Sequence, residues 1–223
     1  MKTYDQFIRE GVYDPNIFKA VFMAGGPGSG KSFVAGKTTG GLGLKMINSD
    51  TPFERFLKKA GLSLKMPEAE TEKRDVERAR AKKVTASKKF HAVKGRLGIL
   101  IDGTGHVYDK VVKQAGMLQQ IGYETSMVFV NTSLEVALAR NEQSARSVMP
   151  KLVKKSWQDV QNNMGKFQNF FGPKSFFIVD NNGVEQDMLE ISTKLIRRAI
   201  SKPVNNKIAT AWIANEMKKK DRS

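Results

Sequence analysis

Short apolar runs recur along the chain, and longer stretches with a helical spacing of apolar residues separate them. Apolar runs of about four to eight residues are typical of buried strands, and strands that alternate with helices favour a parallel sheet with right-handed crossovers. The pattern therefore predicts an α/β fold in which helices flank a five-stranded parallel sheet. The predicted strands are 20–24, 44–48, 97–101, 126–130 and 176–179.

Helical patterns fill the intervals between these strands and the end of the chain. The longest helix, 68–94, carries an apolar stripe that we expect to face the core; its members are Val76, Ala79, Ala86, Phe90 and Val93. We expect the larger aromatic residues of other helical patterns to pack in the core; these are Trp157, Trp212, Phe167, Phe170 and Phe171. The remaining predicted helices are 52–59, 107–120, 134–140, 152–170, 184–200 and 205–219.

A glycine-rich loop joins the first predicted strand to the start of a helix. Gly25 to Ser32 read Gly-Gly-Pro-Gly-Ser-Gly-Lys-Ser and fit the Gly-x-x-x-x-Gly-Lys-Ser motif, whose backbone amides cradle phosphates at a helix N-terminus. In this setting a lysine bridges the β- and γ-phosphates and the following hydroxyl ligates Mg²⁺. The motif therefore predicts ATP and Mg²⁺ as cofactors, and the predicted ATP-binding residues are Gly26, Pro27, Gly28, Ser29, Gly30, Lys31, Ser32 and Phe33.

Two aspartates follow predicted strands on the edge of the sheet where the loop lies. Asp102 ends a Walker-B-like apolar run, so we expect it to hold Mg²⁺ together with Ser32; the alternative is that it caps the turn that follows. Asp50 ends the second strand and is a candidate catalytic base for an attacking hydroxyl. Its alternative role is to cap the helix predicted at 52–59.

Arg140 and Arg146 lie between two predicted helices and are candidate catalytic residues beside Lys31 and Asp50. Phosphoryl transfer places negative charge on equatorial oxygens, and arginines on a closing segment can bind these oxygens as bidentate donors. The alternative is that each arginine is a solvated residue at a helix end.

The charge of the chain is strongly basic, with 38 lysines and arginines against 22 acids and a net charge of +16. Between Arg78 and Ile101 there are eight basic residues and no acid. Such a surface attracts polyanions, so we expect nucleic acid as a partner; the alternative is a solvated cationic surface. The charge does not distinguish DNA from RNA, of which we favour DNA. No apolar stretch approaches the roughly 20 residues that span a bilayer, and the absence of cysteine excludes disulfides. We therefore expect a cytoplasmic protein.

With these residues the chain resembles the P-loop kinases of the polynucleotide kinase and zeta toxin group, over about residues 18 to 182. Ile47-Asn48-Ser49-Asp50 resembles the segment that carries the general base in polynucleotide 5′-hydroxyl kinases, which implies that Asp50 is the base. Ile99-Leu100-Ile101-Asp102-Gly103-Thr104 resembles the segment of the third-strand aspartate. Arg146-Ser147-Val148-Met149-Pro150 is similar to the zeta-toxin lid, although Arg140 remains a second candidate for the lid arginine.

The opening ten residues also resemble the N-termini of packaged proteins of large tailed bacteriophages, and Ile8-Arg9-Glu10 before Gly11 is similar to their prohead-protease cleavage pattern. This resemblance implies a bacteriophage-encoded protein of the host cytoplasm or the virion. It also introduces the related kinases that phosphorylate 5-hydroxymethyluracil in DNA.

Taken together, the sequence predicts a kinase that transfers the γ-phosphate of ATP to a nucleic-acid hydroxyl, either a 5′-end or a hydroxymethylated base. One alternative is a zeta-toxin-like kinase of a nucleotide sugar or another small nucleotide, and another is a non-kinase ATPase that binds nucleic acid. The predicted parts of the chain are an N-terminal segment, 1–16, a P-loop kinase domain with its lid, 17–201, and a C-terminal helix with a basic tail, 202–223.

Overall fold

A computed structural model describes residues 11–144, 146–183 and 185–220, and its centre is one parallel sheet. The strands lie in the order β2-β3-β1-β4-β5, and every neighbouring pair is parallel. The predicted five-stranded parallel sheet is therefore confirmed. The strands are β1 (Lys19–Ala24), β2 (Lys45–Ile47), β3 (Ile99–Asp102), β4 (Glu124–Asn131) and β5 (Phe176–Asp180).

Helices occupy the stretches where the helical spacing predicted them. Short 3-10 turns at Gly11–Tyr13 and Glu68–Glu70 precede β1 and α3. The helices are α1 (Lys31–Leu42), α2 (Asp50–Lys59), α3 (Thr71–Lys94), α4 (Tyr108–Gln120), α5 (Leu134–Gln143), α6 (Pro150–Phe171), α7 (Glu185–Ile200) and α8 (Lys207–Lys220).

The core has two layers, one on each face of the sheet. All six residues of β1 are buried because helices cover both of its faces, as is usual for the central strand of a parallel sheet. On one face Phe22 packs with Phe129 and Phe167, and on the other Val21 packs with Val128 and Ile196. The predicted core position of Phe167 is thus confirmed.

The C-terminal helix packs on the first of these layers. Ala209 is fully buried, and the ring centroid of Trp212 lies 5.5 Å from that of Phe18. The predicted packing role of Trp212 is confirmed, while the division of the chain into three parts remains a prediction. Within the described residues no helix combines the length and the apolarity that a membrane span requires.

Most of the apolar stripe predicted for α3 does not face the core, and of its five members only Val93 packs against it. Val76 and Phe90 are 66% and 63% exposed, whereas the buried residues of this helix are Ala81 and Ala92. At 3.6 residues per turn the two alanines project from a side far from the predicted stripe. The prediction was wrong because small alanines, and not the larger apolar residues, allow α3 to approach α2 and the sheet closely. Phe90 is consequently left on the surface.

Candidate active site

The carboxyl ends of all five strands lie at one edge of the sheet, as parallel topology requires. A cavity of about 510 Å³ opens there. Its walls are the glycine-rich loop after β1, the start of α2 and the segment between α5 and α6. The cavity therefore lies where the sequence placed the phosphate loop and the lid.

Two glycines of the loop adopt a conformation that other residues rarely accept. Gly28 and Gly30 have φ angles of +77° and +83°. A Cβ atom on Gly28 would lie 2.2 Å from the carbonyl oxygen of Ala137, and one on Gly30 would lie 2.5 Å from Nδ2 of Asn181. Both positions thus require glycine for their backbone angle and for the close approach of neighbouring elements.

The sheet side of the loop is held by the ends of β4 and β5. The carbonyl oxygen of Ser29 accepts hydrogen bonds from Nδ2 of Asn181 at 2.7 Å and from Oγ1 of Thr132 at 3.4 Å. The indole of Trp157 donates to the carbonyl of Thr132 at 2.7 Å and lies against Gly26. Trp157 therefore supports the loop, in agreement with its predicted packing role.

Lys31 is the first residue of α1, and its side chain is largely buried at the wall of the cavity. Ser32 and Phe33 follow on the same wall, Phe33 at its more exposed edge. The structure thus brings all eight predicted ATP-binding residues together around one cavity. A helix N-terminus with this loop forms a site for the phosphates of a nucleotide.

Oxygen atoms suited to Mg²⁺ meet beside the loop. The hydroxyl of Ser32 donates to Oδ2 of Asp102 at 3.2 Å, and Nδ2 of Asn48 donates to the same oxygen. The second oxygen, Oδ1 of Asp102, is buried and has no hydrogen-bond partner among the described residues. Because a hydroxyl and a carboxylate are the hard ligands that Mg²⁺ prefers, and one carboxylate oxygen is left for it or for its water, the predicted pair fits the ion.

Asn48 joins the two aspartates and was not identified as a site residue from the sequence. While its Nδ2 donates to Asp102, its Oδ1 accepts a hydrogen bond from the backbone N–H of Asp50. Thr85 of α3 donates from Oγ1 to the backbone carbonyl of Asn48 at 3.2 Å. The one feature of the sequence that could have identified Asn48 is its position directly after β2. Its hydrogen bond to Asp102 depends on the pairing of β2 with β3, which the sequence pattern does not give.

Asp50 is the first residue of α2, whose capping position is Ser49, so Asp50 is not the helix cap. Its Oδ1 accepts hydrogen bonds from Nη1 of Arg78 at 2.8 Å and from Nη1 of Arg146 at 3.1 Å. The guanidinium of Arg78 also lies 4.1 Å from the ring centroid of Phe53. Sequence reasoning placed Arg78 only in a basic surface and missed this contact.

The electrostatics of this cluster stabilise the charged forms of Asp50 and Arg146. Burial raises the pKa of Asp50, but the hydrogen bonds and charges of Arg146 and Arg78 outweigh this effect and lower the pKa to about 2. Burial lowers the pKa of Arg146, but its hydrogen bond to Asp50 and the charges of Asp50, Glu54 and Asp102 raise the pKa above its ordinary value. Asp50 is therefore a carboxylate at neutral pH, but a weak proton acceptor while both arginines hold it.

Both predicted lid arginines line the cavity. Arg146 contacts the wall formed by α2, where its Nε lies 3.4 Å from Oε1 of Glu54. Arg140 projects from α5 and donates from Nη1 to the carbonyl of Asn181 at 2.9 Å, close to the phosphate loop. The side chain of Asn141 exchanges two hydrogen bonds with the backbone of Val148, at 2.7 and 2.9 Å, and so closes the segment that carries Arg146.

The sheet order, the phosphate loop between β1 and α1 and the carboxylates at the strand ends define a nucleotide-binding protein with a P-loop kinase-like fold. The sequence profile of the zeta toxin family matches residues 14–188, and the chain belongs to this family. A search of curated proteins gave no matching relative.

Several solved structures share the fold. The PezAT toxin–antitoxin system of Streptococcus pneumoniae aligns with a TM-score of 0.57 and 15% identity, over 88% of this chain and 96% of that chain. Shikimate kinase from Bacteroides thetaiotaomicron aligns with a TM-score of 0.50 and 13% identity, over 82% of this chain and 98% of that chain. The AvrRxo1-ORF1:-ORF2 structure with ATP aligns with a TM-score of 0.55 and 11% identity, over 80% of this chain and 62% of that chain. At such identities the likeness concerns the fold alone.

The match to the zeta toxin family bears out one half of the resemblance noted in the sequence. The relationship to polynucleotide kinases and the bacteriophage origin remain predictions. The cleavage-like motif at residues 8–10 lies outside the described residues.

Proposed function

We propose that the protein is an ATP-dependent phosphotransferase that moves the γ-phosphate to a hydroxyl group held at Asp50. The observation that carries this proposal is a carboxylate and an arginine, Asp50 and Arg146, on the wall that faces the phosphate loop. An enzyme that only hydrolyses ATP needs no charged wall of this kind opposite its phosphate loop. This wall, called the acceptor wall below, is formed by Asn48, Asp50, Thr51 and Glu54. The proposal therefore favours transfer to an acceptor over simple hydrolysis.

In the proposed mechanism the loop amides and Lys31 bind the phosphates of ATP. Ser32 and Asp102 would hold Mg²⁺, which when bound neutralises charge on the β- and γ-phosphates. Arg140, already beside the loop, donates to phosphate oxygens from the opposite side. Asn48 keeps the carboxylate of Asp102 oriented through its donated hydrogen bond.

The oxygen of the acceptor hydroxyl bonds to the γ-phosphorus as the bond from that phosphorus to ADP breaks, and the hydroxyl proton passes to Asp50. This step needs a stronger base than a carboxylate that two guanidinium groups share. When Arg146 leaves Asp50 and turns to the γ-phosphate, the pKa of Asp50 rises and its oxygen becomes free to accept the hydroxyl proton. Arg146 then stabilises the charge that develops on the transferred group.

The acceptor wall suits a small molecule rich in hydroxyl groups. Asn48, Asp50, Thr51 and Glu54 line it with hydrogen-bonding side chains, and its two acids are balanced by arginines. A sugar hydroxyl fits these groups, and the zeta-toxin resemblance implies a nucleotide sugar. A nucleic-acid hydroxyl is the second candidate, because the basic surface of α3 begins at Arg78, beside Asp50.

Transfer from γ-labelled ATP to a panel of acceptors tests the proposal. The panel contains a UDP-sugar, nucleoside monophosphates, 5′-hydroxyl DNA and RNA oligonucleotides and hydroxymethyluracil-containing DNA. We expect label on a small acceptor, lost in Asp50→Ala. Label on an oligonucleotide would select the second candidate. Release of inorganic phosphate without any labelled acceptor, at an equal rate in Asp50→Ala, would refute a transferase function.

A further inference from the structure

A second cavity lies between α3 and α4, away from the residues that line the site described above. Its volume is about 510 Å³, and its floor is apolar, formed by Ala86 and Val93 of α3 and by Met117, Leu118 and Ile121 around the end of α4. Lys89, Lys94 and Arg96 stand around it, and within the described part of the chain none of its lining residues is acidic. An apolar floor whose charged neighbours among the described residues are cations is complementary to a ligand that carries flat apolar groups and negative charge.

Phe90 lines this cavity and is largely exposed, with its ring edge-on to that of His91 at 5.5 Å between centroids. Its side chain is 63% exposed, and Met117 across the cavity is 61% exposed. A surface phenylalanine that packs against no core contributes little to folding, since burial is what makes an apolar side chain stabilising. An exposed ring beside cations is instead the platform on which proteins stack the bases of single-stranded nucleic acid.

The cations of α3 extend from this cavity towards the acceptor wall. Arg78, Lys82 and Lys89 are four and seven residues apart and so lie along one side of the helix. Arg78 and Lys89 are separated by about 16 Å, because each helical residue rises about 1.5 Å. No acidic side chain in the described part of the chain pairs with Lys89, whose pKa is lowered by burial. A phosphate beside Lys89 would stabilise the charged form of its amino group, which burial disfavours.

We infer that the cavity between α3 and α4 binds single-stranded nucleic acid, with a base stacked on Phe90 and phosphates bound by Lys82 and Lys89. A single strand fits better than a duplex because its bases are free to enter an apolar cavity. A single strand also fits better than an acidic peptide. Its bases can stack on the exposed ring of Phe90, and its regularly spaced phosphates can contact the lysines beside that ring. The inference is independent of the proposed phosphotransfer, which requires only the catalytic cavity.

Fluorescence anisotropy with the full chain tests this site directly, without ATP or Mg²⁺. The probes are 5′-fluorescein-labelled 12-mers of deoxythymidine and of uridine, titrated at several salt concentrations. We expect Phe90→Ala to weaken binding roughly 10-fold, and Phe90→Tyr to retain it, because one stacked base is lost only in the first variant. Lys82→Ala/Lys89→Ala should reduce the slope of log K against log salt by about 1.4, at about 0.7 for each phosphate contact.

The matched control removes two exposed lysines elsewhere, Lys151→Ala/Lys154→Ala on α6, and should change binding much less. Equal weakening in the control pair, or binding unchanged in Phe90→Ala, would overturn the inference. Competition by inorganic polyphosphate or by polyglutamate as strong as that by the oligonucleotide would also overturn it, since neither ligand has a base to stack. The titration contains no ATP, so its outcome does not depend on whether the proposed phosphotransfer takes place.

Discussion

The pairing of Asp50 with two arginines has a measurable effect on stability. Asp50→Asn preserves the size and shape of the side chain and removes its charge, so both guanidinium groups lose their anionic partner. The pKa of Asp50 falls from an ordinary value of 3.8 to about 2 in the folded protein. Since one pKa unit corresponds to about 1.36 kcal/mol, this lowering of the pKa corresponds to about 2 kcal/mol.

Solvent reduces that value. The side chain of Asp50 is 34% exposed and that of Arg78 is 35% exposed, and partly exposed ion pairs contribute less than their calculated attraction. We therefore expect Asp50→Asn to lower the free energy of unfolding at pH 7 by about 1 kcal/mol. Because the folded pKa lies below the unfolded one, this stability is present above about pH 4 and is lost as the pH falls towards 2.

Urea unfolding followed by circular dichroism between pH 7 and pH 3 provides the measurement. The difference in the free energy of unfolding between wild type and Asp50→Asn should be largest at neutral pH and should decrease as the pH approaches 3. Glu54→Gln is the control, and its effect should be smaller because Glu54 has a single, longer contact with Arg146, at 3.4 Å. The stabilising role of the Asp50 ion pairs would be refuted if Asp50→Asn were as stable as wild type at pH 7. It would also be refuted if the difference in their free energies of unfolding did not change with pH.

Three further predictions concern transfer from ATP. Arg146→Ala should lower kcat about 100-fold with little change in the KM for ATP, because its proposed contact with the phosphate forms in the transition state; steady-state transfer assays measure both. Arg78→Gln should move the acidic limb of the pH profile of kcat/KM upwards, because Asp50 loses one cation; an unchanged profile would contradict this. Asp102→Asn should raise the Mg²⁺ concentration for half-maximal transfer at least ~10-fold, which a Mg²⁺ titration shows.

Much of the fold and half of the site follow from short-range patterns. Parallel topology brings the residues after each strand to one edge, so the loop at Gly25–Ser32, Asp50 and Asp102 could be assigned to one edge of the sheet without knowledge of the strand order. The glycines are informative because their positive φ angles and close contacts exclude other residues. Such features are local in sequence and therefore visible in it.

The partners of these residues could not be predicted in this way. Arg78 meets Asp50 across 28 positions, through the packing of α3 on α2, and nothing in the spacing of the basic stretch separates Arg78 from its neighbours. Asn48 bonds to Asp102 across 54 positions because β2 pairs with β3. A contact between elements depends on helix rotation and strand register, which single-sequence patterns specify weakly.

The error in α3 has the same origin. Helical periodicity identified an apolar stripe but could not show which side of the helix the remainder of the fold would cover. Ala81 and Ala92 were the better indicators, since small residues permit close packing of a helix on its neighbours. The stripe that remained on the surface includes Phe90, the residue on which the inferred nucleic-acid site depends.

The two arginines that share Asp50 differ in what holds them, and this difference supports an order of events in the proposed mechanism. Arg78 belongs to a long helix and lies against the ring of Phe53, so its guanidinium is fixed from two sides. Arg146 lies outside any helix, on the segment that Asn141 closes, and its guanidinium contacts the carboxylates of Asp50 and Glu54, with which a phosphate can compete. The γ-phosphate competes for Arg146 with the carboxylate of Asp50. Asp50 therefore becomes an effective proton acceptor only once the phosphoryl donor is in place.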